Sequence, residues 1–423
     1  MKINLLKEMV SSYHQLKSTA KLLILIAFIE SLSTGVWSFC IPLYLLSEGY
    51  SFTSIGWIGG IGGFTNVLML FFTPSIVNRT GKRNALTAGF ALVFAGMGLY
   101  LFWVNLAIYI LGQVLLNIGT ALIGPTYSAL LSDTAPKEEG KYAFSLISFS
   151  NSAGYSIGVL LAGNLPAWIK VFFNADLHTL FIHLIIASLI LWIFQIFFFL
   201  KLKIKDTGNL SVFSLKSRNK PLLLKFVITN GLIGAGAGLV VPWITLFFTK
   251  RYFLDAYGGD FDAAYDMALP RVSFVMMIGS VMMAVSFLIA PFLAEKWGSI
   301  RVIIFFQAAG SLAIIGMPFC PDFYSSSALW IIRTVLMNVS TPLVSAFMME
   351  NVPEDEKTSF NSITAFAWNL PWSISYFLAG PLWKSSYFYL TFLICAAFYA
   401  FSTILFFFFF QTGERKVLSS KEA

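Results

Sequence analysis

Charge is what this 423-residue chain is short of: only 11% of its residues are Asp, Glu, Lys or Arg, about half the share of an ordinary soluble domain. A water-soluble enzyme of this length could not cover itself with polar surface, so that class is excluded first. Cysteine and histidine are scarce too, at three each. Cys40, Cys320 and Cys395 lie in or beside apolar stretches with no paired spacing, which excludes a disulfide framework and leaves small apolar fillers. The histidines show no metal-ligand spacing and no nucleophile–base motif occurs, so neither a metal, a cofactor nor an enzymatic activity is expected. What the chain has instead is 57% hydrophobic and 17% aromatic residues, with a mean hydropathy of +0.78. Such abundance excludes disorder. A polytopic membrane protein is what remains, with the lipid bilayer as its first partner.

Twelve apolar stretches are long enough to cross a bilayer as helices, at about 20 residues each. They cover 22–46, 53–77, 84–104, 106–131, 142–166, 179–200, 222–248, 269–294, 301–319, 326–349, 359–383 and 387–410. The strands of a membrane barrel would be about ten residues long and alternate in polarity, a pattern that is missing. The stretch after the basic segment Met1–Lys21 is too long for a cleaved signal peptide and predicts a retained first span. With the N-terminus inside, 22 Lys and Arg fall in cytoplasmic segments and five (Lys170, Lys250, Arg251, Arg271, Lys384) outside. That bias predicts both termini in the cytoplasm and a multi-pass protein of the plasma (inner) membrane. The net charge of +8 is therefore read as topology, and no nucleic acid is expected as a partner.

The longest cytoplasmic connection, 201–221, is basic and separates six spans from six, giving halves 1–200 and 222–423 joined by a solvated linker. The halves repeat. At an offset of 217, Pro136–Leu165 aligns with Pro353–Leu382 at ten identities in thirty positions, and Pro74, Gly81, Pro125 and Ser128 meet Pro291, Gly298, Pro342 and Ser345. An even number of spans per half makes this a parallel repeat about an axis along the membrane normal. The exterior segment with Asp255, Asp260, Asp262 and Asp266 lacks a calcium-loop spacing and reads as a plain acidic loop.

The loop after span 2, PSIVNRTGKRNAL (Pro74 to Leu86), resembles the signature G-x-x-x-D-R-x-G-R-R of the major facilitator superfamily. Arg79, Gly81, Lys82 and Arg83 match it, with Asn78 where the family has Asp; the second copy keeps Glu295, Lys296, Gly298 and Arg301. The resemblance covers essentially the whole chain. It implies an all-α membrane protein of twelve transmembrane helices in two six-helix bundles related by pseudo-two-fold symmetry. It also implies that Asn78, Arg79, Gly81, Arg83, Glu295, Gly298 and Arg301 form conformational latch loops that engage helix ends in the outward-facing state. Two departures, Gln113 in place of the Arg that opens the family's span-4 pattern and Val159 in place of the Pro of a drug-antiporter motif, argue against assigning an antiporter.

Two formally charged side chains, Glu30 and Arg333, fall deep in the predicted spans, where desolvation requires a partner or a cavity. Glu30 shares a helix face with Ser33, Thr34, Trp37 and Ile41 and is the candidate for proton coupling, against the alternative of a structural hydrogen-bonded carboxyl. Arg333 cannot deprotonate and either holds a substrate anion or pairs with another helix. Asn230 is the repeat counterpart of Glu30. Ser145, Ser148, Ser152 and Tyr155 line one face of span 5, matched in span 11 by Ser362, Ala365, Asn369 and Trp372, and Gln113, Asn117 and Thr120 line span 4. Trp37, Gln113, Asn117, Ser152, Tyr155, Asn230, Arg333, Asn369 and Trp372 are thus the candidate substrate cavity. The glycine runs Gly59–Gly63 and Gly234–Gly238 read as helix packing, and Phe406 to Phe410 as lipid-facing.

These residues predict a secondary active transporter of a small amphipathic organic solute, working by alternating access with the proton as coupling ion. It is expected to act as a monomer, with export placed ahead of import. Proton-coupled or facilitative uptake of a sugar or other neutral nutrient is the alternative. A non-transporting membrane sensor or assembly factor on the same fold is the third reading.

Overall fold

The structure is a computed structural model that describes residues 18–102, 105–134, 140–173, 175–202, 219–350, 352, 357–384 and 388–419. Most of the basic linker, the extreme termini, and Pro136, Glu139, Pro353 and Glu356 of the repeat lie outside the described residues. All regular structure among the described residues is helical, in twelve helices: α1 Ser18–Ser47, α2 Phe52–Thr80, α3 Lys82–Gly98, α4 Leu106–Thr134, α5 Gly140–Phe173, α6 Leu177–Leu200, α7 Lys220–Leu254, α8 Phe261–Trp297, α9 Ser299–Gly316, α10 Phe323–Glu350, α11 Lys357–Lys384 and α12 Phe388–Ser419. Eleven of them are long and apolar enough to cross a membrane. The other, α11, has the length but carries Asn369, Ser373 and two interior prolines.

The chain forms two compact units. One holds residues 1–49, 65–212 and 260–277; the other holds 50–64, 213–259 and 278–423. Each is built on the same plan. In the first, α1 packs on α5 and α6, and α3 on α4; in the second, α7 packs on α11 and α12, and α9 on α10. The repeat in the sequence is therefore a repeat of packing. Glycine permits the closest of these approaches: a Cβ on Gly158 would strike the Leu32 carbonyl of α1, and one on Gly234 would strike the Trp368 carbonyl of α11. Without a hydrophobic drive between helices in lipid, such close van der Waals contact is what holds them together.

The exchange of short segments between the halves has visible causes. In the first unit α8 begins at Phe261, eight residues before the predicted span, because Asp260 caps it by accepting from the Ala263 amide at 3.2 Å. Its first turns then place Asp262 and Asp266 at 3.4 and 2.5 Å from Lys170 Nζ. Lys170 itself lies on α5 beyond Pro166, which the helix runs through instead of ending there. In the second unit residues 50–64 bring Gly59, Gly60 and Gly63 against Tyr376, Phe377 and Ser373 of α11, with Trp57 stacked on Phe377 at 6.1 Å. Arg271, counted among the exterior basic residues, lies inside α8 and turns back to the Met267 carbonyl.

Span 7 is present as α7, and within it the helix tightens into a 3-10 turn at Val241–Trp243, because Pro242 has no N–H to give. The nearby Leu239 carbonyl is taken by Trp383 Nε1 at 3.1 Å. One expectation is corrected. The Phe406–Phe410 run is not uniformly lipid-facing, since Phe406 and Phe410 are buried against Phe226 and Phe347 and only Phe408 is largely exposed. A phenylalanine every fourth position returns to the same helix face. The three cysteines are free and buried, as expected.

Both signature loops close on the same turn. Gly81 has φ 83° and ψ 154°, and Gly298 has φ 85° and ψ 140°, a region open to glycine alone. Each amide reaches back four residues, to Val77 and Ala294, and each carbonyl starts the next helix. Gly81→Ala and Gly298→Ala should each cost about 1–3 kcal/mol, read as a lower thermal midpoint of the purified protein. Gly124→Ala, at a site with open space around it, should leave the midpoint unchanged.

Candidate functional site

Each unit carries a charged side chain among polar and aromatic neighbours within a candidate membrane span. In the first, Glu30 of α1 faces α6, where Gln195 Nε2 donates to its Oε2 at 3.1 Å. Thr34 donates to the Glu30 carbonyl at 2.9 Å, and Ser33 donates across to the Ser188 carbonyl at 3.0 Å. No cation pairs with Glu30 among the described residues. A carboxylate within a candidate membrane span and with one neutral donor is under-compensated.

The α6 side of this contact holds what the sequence reading missed. Ser188, Trp192 and Gln195 lie four and three residues apart, on one face, and all are buried against α1 or α3. Ser188 Oγ, Trp192 Nε1 and Gln195 Oε1 have no hydrogen-bond partner among the described residues. Buried polar atoms are nearly always bonded to protein or ordered water, so a row of three is a polar track ending at Glu30. The signal was present as a spaced Ser, Trp and Gln in an otherwise apolar span.

The other first-unit candidates fall into two groups. Ser31 donates to Asn151 Oδ1 at 3.0 Å and Ser38 to Tyr155 Oη at 3.1 Å, so Tyr155 is tied to α1. Ser152 bonds its own helix at the Ser148 carbonyl, and Trp37 is buried edge-on to Tyr100 at 4.9 Å. On α4, Asn117 donates to the Gln113 carbonyl at 2.9 Å and to its Oε1 at 3.2 Å. Asn66 of α2, also missed, donates to the Asn117 carbonyl at 3.2 Å and to Thr120 Oγ1 at 3.0 Å.

In the second unit, Asn230 and Asn369 each bond a carbonyl one turn back in their own helix, those of Phe226 and Ala365. Trp372 stacks on Trp368 at 6.1 Å. Arg333 of α10 is 6% exposed and donates through Nη2 to Tyr399 Oη of α12. Its Cζ stands 5.2 Å from the Trp330 ring centroid and 5.4 Å from that of Tyr399. It is not salt-bridged to another helix among the described residues.

Arg79, Arg83, Glu295 and Arg301 of the signature loops are exposed and make no ion pair among the described residues, while Lys82 is buried and Asn78 is partnered. Outside the spans, Asp176 and Asp322 cap α6 and α10. Bonds from Thr179 to the first, and from Ser325 and Tyr324 to the second, hold both carboxyls below the usual carboxylate range.

Twelve helices packed on a doubled plan, eleven of them long and apolar enough to cross a membrane, describe a polytopic membrane protein. The sequence model of the Major Facilitator Superfamily matches residues 23–376, and the chain belongs to that family; it is a transporter, not an enzyme. No curated protein matches it. Among solved structures it resembles the nucleoside transporter NupG, with a TM-score of 0.73 and 13% identity over 92% of this chain and 98% of that one. It equally resembles a bacterial homologue of the iron transporter ferroportin in its inward-facing state, with a TM-score of 0.73 and 14% identity over 92% and 97%. A bacterial metal transporter follows at a TM-score of 0.67 and 14% identity, over 92% and 98%. At these identities the likeness concerns the fold alone.

The α2–α4 contact gives a direct test. Asn66→Ala leaves Thr120 Oγ1 without its donor and the Asn117 carbonyl with only the Thr120 hydroxyl as side-chain donor, and should cost about 1–3 kcal/mol, seen as a lower thermal midpoint in detergent. Asn84→Ala, at an exposed site whose side chain bonds only its own helix at the Thr80 carbonyl, should change it little.

Proposed function

We propose that the chain is a proton-coupled secondary active transporter that moves a small, amphipathic organic solute by alternating access. The halves 1–200 and 222–423 would be its two six-helix bundles, in the plasma (inner) membrane with both termini cytoplasmic, and the protein would work as a monomer. The observation that carries this reading is Glu30, a membrane-depth carboxylate with a single neutral donor, Gln195, at the end of the Ser188–Trp192–Gln195 track.

The chemistry follows from the amide. Ionised, Glu30 accepts from the Gln195 amide nitrogen; protonated, its own O–H needs an acceptor, and Gln195 Oε1, which has no hydrogen-bond partner among the described residues, is that acceptor after a small rotation. The pair therefore has a satisfied arrangement for each protonation state, and water along the track would carry the proton. The solute would meet neutral hydrogen-bonding and aromatic side chains: Gln113, Asn117, Ser152 and Tyr155 in one half, and Asn230, Asn369 and Trp372 in the other. A buried Trp37 would act by supporting Tyr100 and α1. With few fixed charges and many rings, such a lining favours an amphipathic solute over a sugar phosphate, which would call for more than one cation.

Two contacts favour alternating access over a fixed channel. Lys170 bonds Asp262 and Asp266 between α5 and α8, and glycines of α2 seat on α11. Both lie away in sequence from the signature loops, whose exposed charges make no ion pair among the described residues. One set of contacts made and the other open is what a two-state cycle requires.

In vesicles reconstituted with the purified protein, Glu30→Gln should abolish solute-driven proton movement, and Gln195→Leu should slow it at least about tenfold. Coupling undiminished in Glu30→Gln would remove that residue from the mechanism. Solute flux that is retained without proton movement in the native protein would instead favour facilitative uptake.

A further inference from the structure

Arg333 lies ten residues into α10 and is 94% buried by its 6% exposure, yet its charge is uncompensated. Nη2 is spent on Tyr399 Oη, a neutral acceptor. Nε has no partner, and no carboxylate pairs with the guanidinium among the described residues. Two rings, Trp330 and Tyr399, flank it at 5.2 and 5.4 Å, and the buried Cys395 lies one turn from Tyr399 within its electrostatic reach. Further along the same face of α10, Ser340 Oγ is a second buried polar atom without a partner.

A guanidinium keeps its proton in any protein environment, so this positive charge persists at a depth where unpaired charge is costly. Ring faces spread the charge without cancelling it. A structural arginine would be expected to carry a carboxylate or several carbonyls; this one keeps donors in reserve in a fork that suits a planar anion. We propose that Arg333, with Tyr399 and Trp330, binds one monovalent anion: the carboxylate of a small solute with an apolar or aromatic body, or a halide offering the same charge. One fixed positive charge balances one negative charge, whereas a dianion would exchange one uncompensated charge for another. The aromatic flanks favour an apolar body over a polyol. This deepens the transporter reading by giving its solute a charge, and it is tested by binding alone, so that failure of transport would leave it standing.

The experiment is thermal unfolding of the full chain in detergent at constant ionic strength, with benzoate, chloride, sulfate and neutral benzamide as probes. Benzoate should raise the midpoint saturably, and benzamide and sulfate should not; chloride matching benzoate would identify the halide as the source. Arg333→Gln should abolish the saturable shift. If that variant does not fold, Arg333→Lys, which keeps the charge and loses the fork, should raise the apparent benzoate Kd by about tenfold, and Tyr399→Phe should weaken it in the same direction. No anion dependence, an equal shift with sulfate, or a shift that persists unsaturated in Arg333→Gln would overturn the proposal.

Discussion

Hydrocarbon cannot solvate charge or an unpaired backbone group, and almost every feature of this chain answers to that constraint. It dictates helices throughout the spans, because only helices satisfy their own amides and carbonyls within one segment. It moves basic residues to helix ends, and where the helix runs on, as around Arg271, it turns the side chain back along the surface to the Met267 carbonyl. The same constraint explains Pro242: the 3-10 turn it forces in α7 lies beside a carbonyl that Trp383 occupies. A polar group that stays deep without such an answer calls for another use, and Glu30, the α6 row and Arg333 are among the residues of that kind.

The two units share a packing plan and differ in chemistry. Where α1 meets α6 in the first, the polar partners are a carboxylate and an amide; in the second, the charged group has moved to α10 and meets a phenol on α12. Asn230, at the position corresponding to Glu30, has withdrawn to its own helix backbone. Duplication thus supplies two frames, and substitution has placed opposite charges in them. A carboxylate can change its protonation state and a guanidinium cannot, which suits the first to the proposed coupling and the second to the proposed anion binding.

Much of the fold was legible because hydropathy and repetition report directly on burial. Twelve spans, the doubled plan and the glycine turns at Gly81 and Gly298 all follow from them. The misplaced ends were those where a charge is neutralised by a distant residue: nothing local to Asp262 or Asp266 announces Lys170, so α8 was started too late. The Phe406–Phe410 run was misread because composition does not distinguish faces, although spacing does. At the candidate sites, Glu30 and Arg333 stood out by charge, whereas Asn66 and Gln195 are neutral and single in their spans. Their importance is set by what they face, which only the folded chain reveals. The signature-loop charges were legible as a motif, but Arg79, Arg83, Glu295 and Arg301 make no ion pair among the described residues.

The assignment of Glu30 as the group that gains and loses a proton is the center of the functional reading, and infrared difference spectroscopy across a pH step observes it without any knowledge of the solute. A protonated-carboxyl band that appears on acidification, vanishes at alkaline pH, shifts in Gln195→Leu and is missing from Glu30→Gln is the expected result. A spectrum with no titrating carboxyl band, or one whose band survives unchanged in Glu30→Gln, would contradict it.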